Sequence, residues 1–317
     1  MAIYLTESDV NELITMELAL DALEEVFKAR AHGGIGNMPR RRVPFGRGSY
    51  NVMAASWAEK GVVGHKTYAA GAGGVSGHVM LYSTEGKGLL AVIEASRMGQ
   101  VRTGAASGVA SKHMARRDAK SVGIIGAGYQ AATQLEAIAA VRAIESARVY
   151  SRTAEKRDAF AATMSRKLGI DVHAAASAAD AVKGVDIVAT ITNSADPVLT
   201  GEMLEPGVHI NAAGGNSWMR RELDTAAVIK CGKVVADDVD QARTECGELM
   251  RAAEAGRFYW DTLVPLDKIV GGLLPGRDDN RQITLFESQG VALEDIAVCE
   301  RLNRLAVERK VGSKLPV

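Results

Sequence analysis

A glycine-rich turn between a predicted strand and a predicted helix constrains the fold of this chain more than any other feature. The apolar run Val122–Ile125 is typical of a buried strand, and Gly126-Ala-Gly128-Tyr-Gln-Ala131 follows it as a GxGxxA motif. In such a motif the first glycine makes the tight turn, the second lets the backbone approach a pyrophosphate, and the small last residue lets the helix pack closely. The free N–H groups at the start of the helix attract the phosphates. The motif therefore predicts a Rossmann domain that binds a dinucleotide.

Strands and helices alternate after this turn, which is the pattern of βαβ units with a parallel sheet. We predict strands at 121–126, 147–151, 171–175, 186–190, 209–213 and 234–236. We predict helices at 129–142, 154–168, 177–183, 220–229 and 293–310. The fold class is therefore α/β.

The part of the chain before the glycine turn has a different pattern. Residues 6–31 predict one amphipathic helix or two in tandem, and residues 32–48 predict a loop that leads into a strand. Glycines separate four short runs that predict a mostly antiparallel sheet, at 50–55, 62–68, 78–83 and 89–94. Residues 100–116 predict an alanine-rich helix, so the strand-rich and the alternating regions meet near residue 115.

The residues after the second Rossmann strand indicate which dinucleotide binds. NAD-selective enzymes usually carry Asp or Glu there, which binds the ribose 2′-OH. This chain carries Ser151, Arg152 and Thr153 instead, two hydroxyls and a guanidinium that suit a 2′-phosphate. We expect NADP(H) to be favoured, and NAD(H) stays possible if Arg152 is only a surface charge.

Charge and composition argue against several other classes of protein. The 38 basic residues balance 38 acidic ones, so the chain lacks the basic excess that nucleic acid binding normally needs. Three cysteines without a CxxC motif predict neither a disulfide scaffold nor a zinc site. Neither a signal peptide nor a long apolar segment is evident, so we expect a soluble cytoplasmic protein without a membrane partner.

Seven stretches along the chain resemble the ornithine cyclodeaminase/mu-crystallin family, in the order of that family. They are MPR at 38–40, VMA at 52–54, GHK at 64–66, QVRTGAAS at 100–107, IIGAGYQA at 124–131, HINAAGGN at 209–216 and SQGVALEDIA at 288–297. The resemblance implies that residues 1–115 and 293–317 form a mixed α+β domain that binds substrate and makes a homodimer. The Rossmann domain, residues 116–292, is then inserted into it.

The resemblance also implies a site for the carboxylate of a small amino or imino acid. In the family an Arg, a Lys and a second Arg bind this group, and they match Arg40, Lys66 and Arg102 here. Guanidinium groups hold a carboxylate in a fixed plane, which keeps the substrate Cα at a set distance from the nicotinamide. Lys66 is also a candidate proton donor if burial lowers its pKa.

Three further arginines lie near Arg40, namely Arg41, Arg42 and Arg47. The sequence leaves open which of the four points inward, although the family spacing to Met53 favours Arg40. We expect the other three to be solvated loop charges. The alternative is that one of them binds a second carboxylate, as the dicarboxylate iminosuccinate would require.

Other residues are expected near the cofactor, by position in the Rossmann domain or by resemblance. They are Thr103, Gly126, Ala127, Gly128, Tyr129, Gln130, Ser151, Arg152, Thr153, Thr190, Ser288 and Val291.

Asn216 occupies the position where cyclodeaminases carry an Asp that acts as acid and base. An amide can hydrogen-bond a substrate nitrogen but does not exchange a proton near neutral pH. With Lys66, Arg102 and Asn216 as catalytic candidates, we predict an NAD(P)H-dependent reductase of a small α-imino acid, of the ketimine or iminosuccinate type, or the reverse amino-acid dehydrogenation. The alternatives are an ammonia-releasing ornithine or lysine cyclodeaminase, and a crystallin-like NADP-binding protein with little turnover.

Overall fold

The computed structural model describes residues 2–316. Within this range the strands are β1 (Ile3–Leu5), β2 (Ile35–Phe45), β3 (Gly48–Trp57), β4 (Val62–Gly71), β5 (Gly74–Ser83), β6 (Leu89–Glu94), β7 (Ser121–Ile125), β8 (Ser146–Tyr150), β9 (Asp171–Ala174), β10 (Ile187–Thr190), β11 (His209–Ala212), β12 (Lys233–Ala236), β13 (Val264–Pro265), β14 (Thr284–Glu287) and β15 (Ser313–Lys314). The α-helices are α1 (Glu7–Leu13), α2 (Met16–Ala31), α3 (Ser96–Met114), α4 (Ala131–Val141), α5 (Ala154–Leu168), α6 (Ala178–Val182), α7 (Thr225–Lys230), α8 (Val239–Glu245), α9 (Gly247–Glu254), α10 (Leu266–Val270) and α11 (Ala292–Arg309). None of these helices is long and apolar enough to cross a membrane.

The chain folds into two compact units, one that runs to Arg102 and resumes at Val291, and one that spans Thr103–Gly290. The sequence placed the first boundary near residue 115, at the end of a predicted helix. The boundary instead falls inside α3, one continuous helix, so no loop or change of composition marks it.

The first unit contains a sheet with the strand order β15-β1-β6-β5-β4-β3-β2. All neighbouring strands are antiparallel except the pair β1 and β6. Helix α11 packs directly on this sheet, since a Cβ on Gly64 of β4 would lie 2.6 Å from the Cδ1 of Ile296. This close approach brings the start of α11 next to the middle of β4.

The prediction of a loop at 32–48 was wrong, because β2 occupies most of that segment. The alternation of side chains is hidden there by three consecutive arginines, by Pro39 and Pro44, and by a register shift between Met38 and Arg41. Because β2 is the edge strand of its sheet, prolines are tolerated in it.

The second unit has the Rossmann architecture, which confirms the predicted fold class. Its parallel sheet has the strand order β13-β12-β14-β11-β10-β7-β8-β9. The chain passes from β7 through β8 to β9 at one edge, and then returns to β10 on the other side of β7. The topological switch point therefore lies between the carboxyl ends of β7 and β10, where open parallel sheets bind their ligands.

Two predictions in this unit need correction. Strand β14, which lies between β11 and β12, was not predicted. Its four residues are all buried, so they show no alternation of apolar and polar side chains. The helix predicted at 220–229 begins only at Thr225, after Asp224 caps it through the N–H of Ala227.

Candidate active site

The glycine turn of the second unit has the geometry of a phosphate-binding loop. Gly126 has a φ of 116°, and a Cβ there would overlap the carbonyl oxygen of Ile191. This glycine is therefore required by the close approach of the turn to the end of β10. Around Gly128, by contrast, no heavy atom of the described residues lies within 4 Å of an ideal Cβ. The space beside Gly128 is left open on the protein side, which fits a ligand that approaches the backbone.

The carboxyl end of β14 adds a second feature that fits a dinucleotide. Ser288 follows β14 and is buried, and within residues 2–316 its hydroxyl has no hydrogen-bond partner. A buried hydroxyl without a partner is unfavourable, and a polar ligand group that bonds it removes this cost.

Thr103 is half-buried and its carbonyl oxygen accepts from Gln134 Nε2 of α4 at 3.3 Å. Val291, in contrast, precedes α11 in the first unit and is fully buried.

Thr190, which we predict near the cofactor, is the last residue of β10. The side chain is fully buried and its hydroxyl donates to Glu222 Oε2 at 2.9 Å. The hydroxyl of Thr190 therefore supports a neighbouring carboxylate. No role was predicted for Glu222 from the sequence. Its role as the acceptor for Thr190 is evident only from the tertiary structure.

The end of β8 presents more positive charge than the sequence indicated. Ser151 is half-buried, whereas Arg152 and Thr153 are exposed. Arg157, in the first turns of α5, donates from Nη1 to the carbonyl oxygen of Ser151 at 3.3 Å. Its guanidinium carbon lies 6.0 Å from the ring centroid of Tyr150. A second guanidinium thus stands beside the predicted 2′-phosphate position, at a site that the motif alone did not include.

In the first unit the structure distinguishes the four arginines of β2 and its turn. Arg40 is buried, with 6% exposure, whereas Arg41, Arg42 and Arg47 are exposed. The register shift between Met38 and Arg41 breaks the alternation of the strand at this point.

Lys66 and Arg102 meet at the carboxylate of Asp295, which lies in the SQGVALEDIA stretch and for which no role was predicted. Asp295 Oδ1 accepts from Lys66 Nζ and from Arg102 Nε, each at 2.9 Å. Arg102 Nη1 also donates to Glu294 Oε2 at 2.8 Å. Both acids are fully buried and both cations nearly so. Acidic residues in the first turn of a helix are usually explained by the helix dipole. For this reason the sequence alone did not indicate that Glu294 and Asp295 pair with buried cations.

Burial and mutual interaction set the charges of this group, which we call the cation cluster (Arg40, Lys66, Arg102, Glu294 and Asp295). Burial lowers the pKa of Lys66, and the neighbouring arginines add to this effect while Asp295 opposes it. Burial alone would raise the pKa of Asp295, but Arg102 and Lys66 outweigh it and hold that pKa below its usual value. Burial raises the pKa of Glu294 to about 7. With both acids ionised the cluster carries one net positive charge, which one carboxylate neutralises.

Helix α3 leaves space for the end of Lys66. A Cβ on Gly99 would lie 3.2 Å from Lys66 Nζ. Nζ is also 5.8 Å from the ring centroid of Tyr68, within the range of a cation–π interaction. The ammonium group is thus held between a glycine, an aromatic ring and Asp295.

Asn216 lies in the loop after β11 and is exposed. It follows Gly214 and Gly215, as the sequence indicated. The amide of Gly214 donates to Glu222 Oε2 at 2.8 Å, so the start of the loop that carries Asn216 is held by a buried carboxylate.

Comparison with known proteins covers both units. The model of the ornithine cyclodeaminase/mu-crystallin family matches residues 2–309. A Delta(1)-pyrroline-2-carboxylate reductase of Bacillus cereus is 40% identical over 242 residues, which are 76% of this chain and 74% of that protein. The structure of Thermococcus litoralis Delta(1)-pyrroline-2-carboxylate reductase, in complex with NADH and L-proline, has a TM-score of 0.95 at 33% identity and covers 99% of this chain and 100% of its own. An archaeal alanine dehydrogenase dimer with bound NAD has a TM-score of 0.93 at 32% identity and covers 99% and 98%.

Proposed function

The chain belongs to the ornithine cyclodeaminase/mu-crystallin family, and we propose on this premise that it is an NAD(P)H-dependent oxidoreductase that reduces a small α-imino acid to the amino acid. The observation that carries this proposal is the cation cluster, in which Lys66 and Arg102 share one buried carboxylate oxygen. Buried charges are costly unless they are used or paired, and the three cations of this group suit a substrate carboxylate.

The residues of the cluster have distinct tasks in such a reaction. Arg40 and Arg102 bind the substrate carboxylate and fix the plane of the C=N bond. A bound NAD(P)H supplies hydride to the carbon of that bond. Lys66, whose pKa burial lowers, donates the proton that the nitrogen requires. Asp295 keeps Lys66 charged and directed to one place before the proton is transferred.

A cyclic imine with one carboxylate, such as pyrroline-2-carboxylate, is the proposed substrate class. The exposure of Arg41, Arg42 and Arg47 supports one carboxylate over the two of iminosuccinate. The relatives from B. cereus and T. litoralis carry the name of a pyrroline-2-carboxylate reductase, which supports the same class.

Activity is tested by following cofactor absorbance with pyrroline-2-carboxylate, and separately with 2-oxo acids plus ammonia or methylamine. Ammonia release from ornithine and lysine is measured in parallel. We expect cofactor oxidation with the cyclic imine and no ammonia release. Ammonia release without net cofactor change would instead establish a cyclodeaminase, and tight cofactor binding without turnover would establish a binding protein. Asn216 weighs against the first alternative, since an amide cannot carry the proton traffic of two C–N bond changes.

NADP(H) is the proposed form of the cofactor, although the two related structures hold NADH and NAD. Arg152 and the hydroxyls of Ser151 and Thr153 support a 2′-phosphate, and Arg157 adds a second guanidinium beside Ser151. The test compares the KM ratio of NADPH and NADH in wild type, Arg152→Ala and Arg157→Ala. We expect each change to raise the KM of NADPH about tenfold and that of NADH little, because an arginine–phosphate contact is charge-assisted. Arg166→Ala, at the far end of α5, is the matched control, and an unchanged ratio in both test variants would leave NAD(H) as the cofactor.

We further propose a homodimer. The archaeal relative is described as a dimer. Large apolar side chains are exposed at the ends of β2 and β5, including Val43, Phe45 and Val75, which supports an interface there. Sedimentation equilibrium should give the mass of two chains, and Phe45→Glu should shift it towards one.

A further inference from the structure

Glu222 is a buried carboxylate at the edge of the sheet where the Rossmann unit binds ligands. Only 1% of the residue is exposed. Its Oε1 accepts from the amide of Thr192 at 2.5 Å. Its Oε2 accepts from the hydroxyl of Thr190 at 2.9 Å and from the amide of Gly214 at 2.8 Å. Both oxygens are therefore used, and each of the three donors comes from a residue at the end of a central strand.

The three donors lie at, or within two residues of, the carboxyl ends of two neighbouring strands. Thr190 ends β10, and Thr192 lies in the loop that follows it beside the switch point. Gly214 lies in the loop after β11, two residues before Asn216. A Cβ on Gly214 would overlap the carbonyl oxygen of Thr192 and would lie 2.7 Å from the Cδ of Glu222. The two loops and the carboxylate are thus packed without room for a side chain.

The main chain of Glu222 is held as well. Its carbonyl oxygen accepts from the amides of Val198 and Leu199, at 2.8 Å and 3.0 Å. The carboxylate consequently approaches the loops from a fixed backbone. Three donors on two oxygens also explain the residue type, because a glutamine in the same place has one acceptor oxygen and would direct its NH₂ group at a donor.

We propose that Glu222 is a positioning residue for the cofactor. By accepting from Thr192 and Gly214, it sets the spacing between the loops after β10 and β11, which lie at the carboxyl edge where an open parallel sheet binds its ligand. The contact with Gly214 also fixes the start of the segment that carries Asn216. The inference rests on the proposed function only in its choice of cofactor.

Cofactor binding in the absence of substrate tests this role. The dissociation constants of NADPH and NADH are measured by nucleotide fluorescence for wild type, Glu222→Gln, Thr190→Val and Asp224→Ala, with a thermal unfolding curve for each. We expect Glu222→Gln to raise the dissociation constant about tenfold, because one acceptor oxygen is lost and one donor then faces another. Thr190→Val removes one donor of three and keeps the volume, so we expect a rise of about threefold.

Asp224→Ala is the matched control, since Asp224 is a neighbouring acid that caps α7 and binds the amide of Gly201. We expect it to lower Tm at least as much as Glu222→Gln and to leave the dissociation constants within about twofold of wild type. If Glu222→Gln does not fold, Thr190→Val carries the test by itself. Unchanged binding in Thr190→Val and in folded Glu222→Gln, or an equal loss in Asp224→Ala, would overturn the inference. A protein that binds NADPH but reduces no imine would contradict the proposed function and leave this test intact.

Discussion

Replacing Asp295 with Asn removes the negative charge that Lys66 and Arg102 share while it keeps the shape of the side chain. Each of the two cations lies 2.9 Å from Asp295 Oδ1. At that distance, Coulomb's law with an effective dielectric constant of about 20 gives roughly 6 kcal/mol for one pair. If relaxation of solvent and side chains compensates about three quarters of this energy, about 1.5 kcal/mol is still lost in the variant. The pKa of Lys66 then falls by about one, because 1.36 kcal/mol corresponds to one pKa unit.

The assay is the pH dependence of kcat, with NADPH and the cyclic imine both saturating. Because Lys66 donates the proton, kcat decreases above the pKa of its ammonium group. In Asp295→Asn we expect this alkaline limb to move to lower pH by about one unit or more, so that activity above the limb is about tenfold lower. Activity well below the limb should be retained. Thermal unfolding is recorded as well, because loss of one partner of a buried ion pair destabilises a protein by about 3–5 kcal/mol.

Glu294→Gln is the matched control, since Glu294 pairs with Arg102 at 2.8 Å rather than with Lys66. We expect it to move the alkaline limb much less than Asp295→Asn does. An alkaline limb at the same pH in wild type and Asp295→Asn would refute the reasoning, and so would an equal displacement in both variants.

Four further predictions concern the charge, the stability, the space and the chemistry of the site. Because burial raises the pKa of Glu294 to about 7, the cation cluster is more positive below that pH. An aromatic carboxylate that does not titrate in this range should therefore bind several-fold tighter at about pH 6 than at about pH 8, as measured by calorimetry. The same difference in Glu294→Gln would contradict this prediction. The same raised pKa means that the folded state binds more protons, so Glu294 should make the free energy of unfolding decrease as pH rises from about 4.5 to about 7, and Glu294→Gln should reduce that slope. Gly99→Ala places a methyl group 3.2 Å from Lys66 Nζ, so we expect kcat to fall about tenfold with little change in the KM of NADPH. An unchanged kcat would show that the ammonium group of Lys66 can move away from the methyl group without loss of function. Asn216→Asp should reduce imine-reductase activity by less than about tenfold and introduce measurable ammonia release from ornithine; no ammonia would show that this carboxylate alone does not convert a reductase into a cyclodeaminase.

The features that sequence reasoning predicted well are those decided within a few neighbouring residues. The turn was predictable because the backbone at Gly126 requires glycine, and Gly128 follows at the spacing of a known motif. Helix α5 was predicted with its bounds because its periodicity and the glycine that ends it are local. In contrast, β14 was missed because a short, fully buried strand has no alternating pattern. Strand β2 was missed because its prolines and arginines resemble a loop, and only its place at the sheet edge makes them compatible with a strand.

What the sequence determined by itself is the fold class, the glycine turn and a set of candidate residues, because each of these depends on local backbone geometry or on a motif. Which charges meet was decided only by the tertiary structure. Lys66 and Asp295 are separated by 229 positions, and Thr190 and Glu222 by 32, so no local pattern links either pair. Their chemistry depends on burial and distance. A carboxylate stabilises the charged form of a lysine, or fixes the spacing of two loops, only where water is excluded and the donors lie within hydrogen-bonding range.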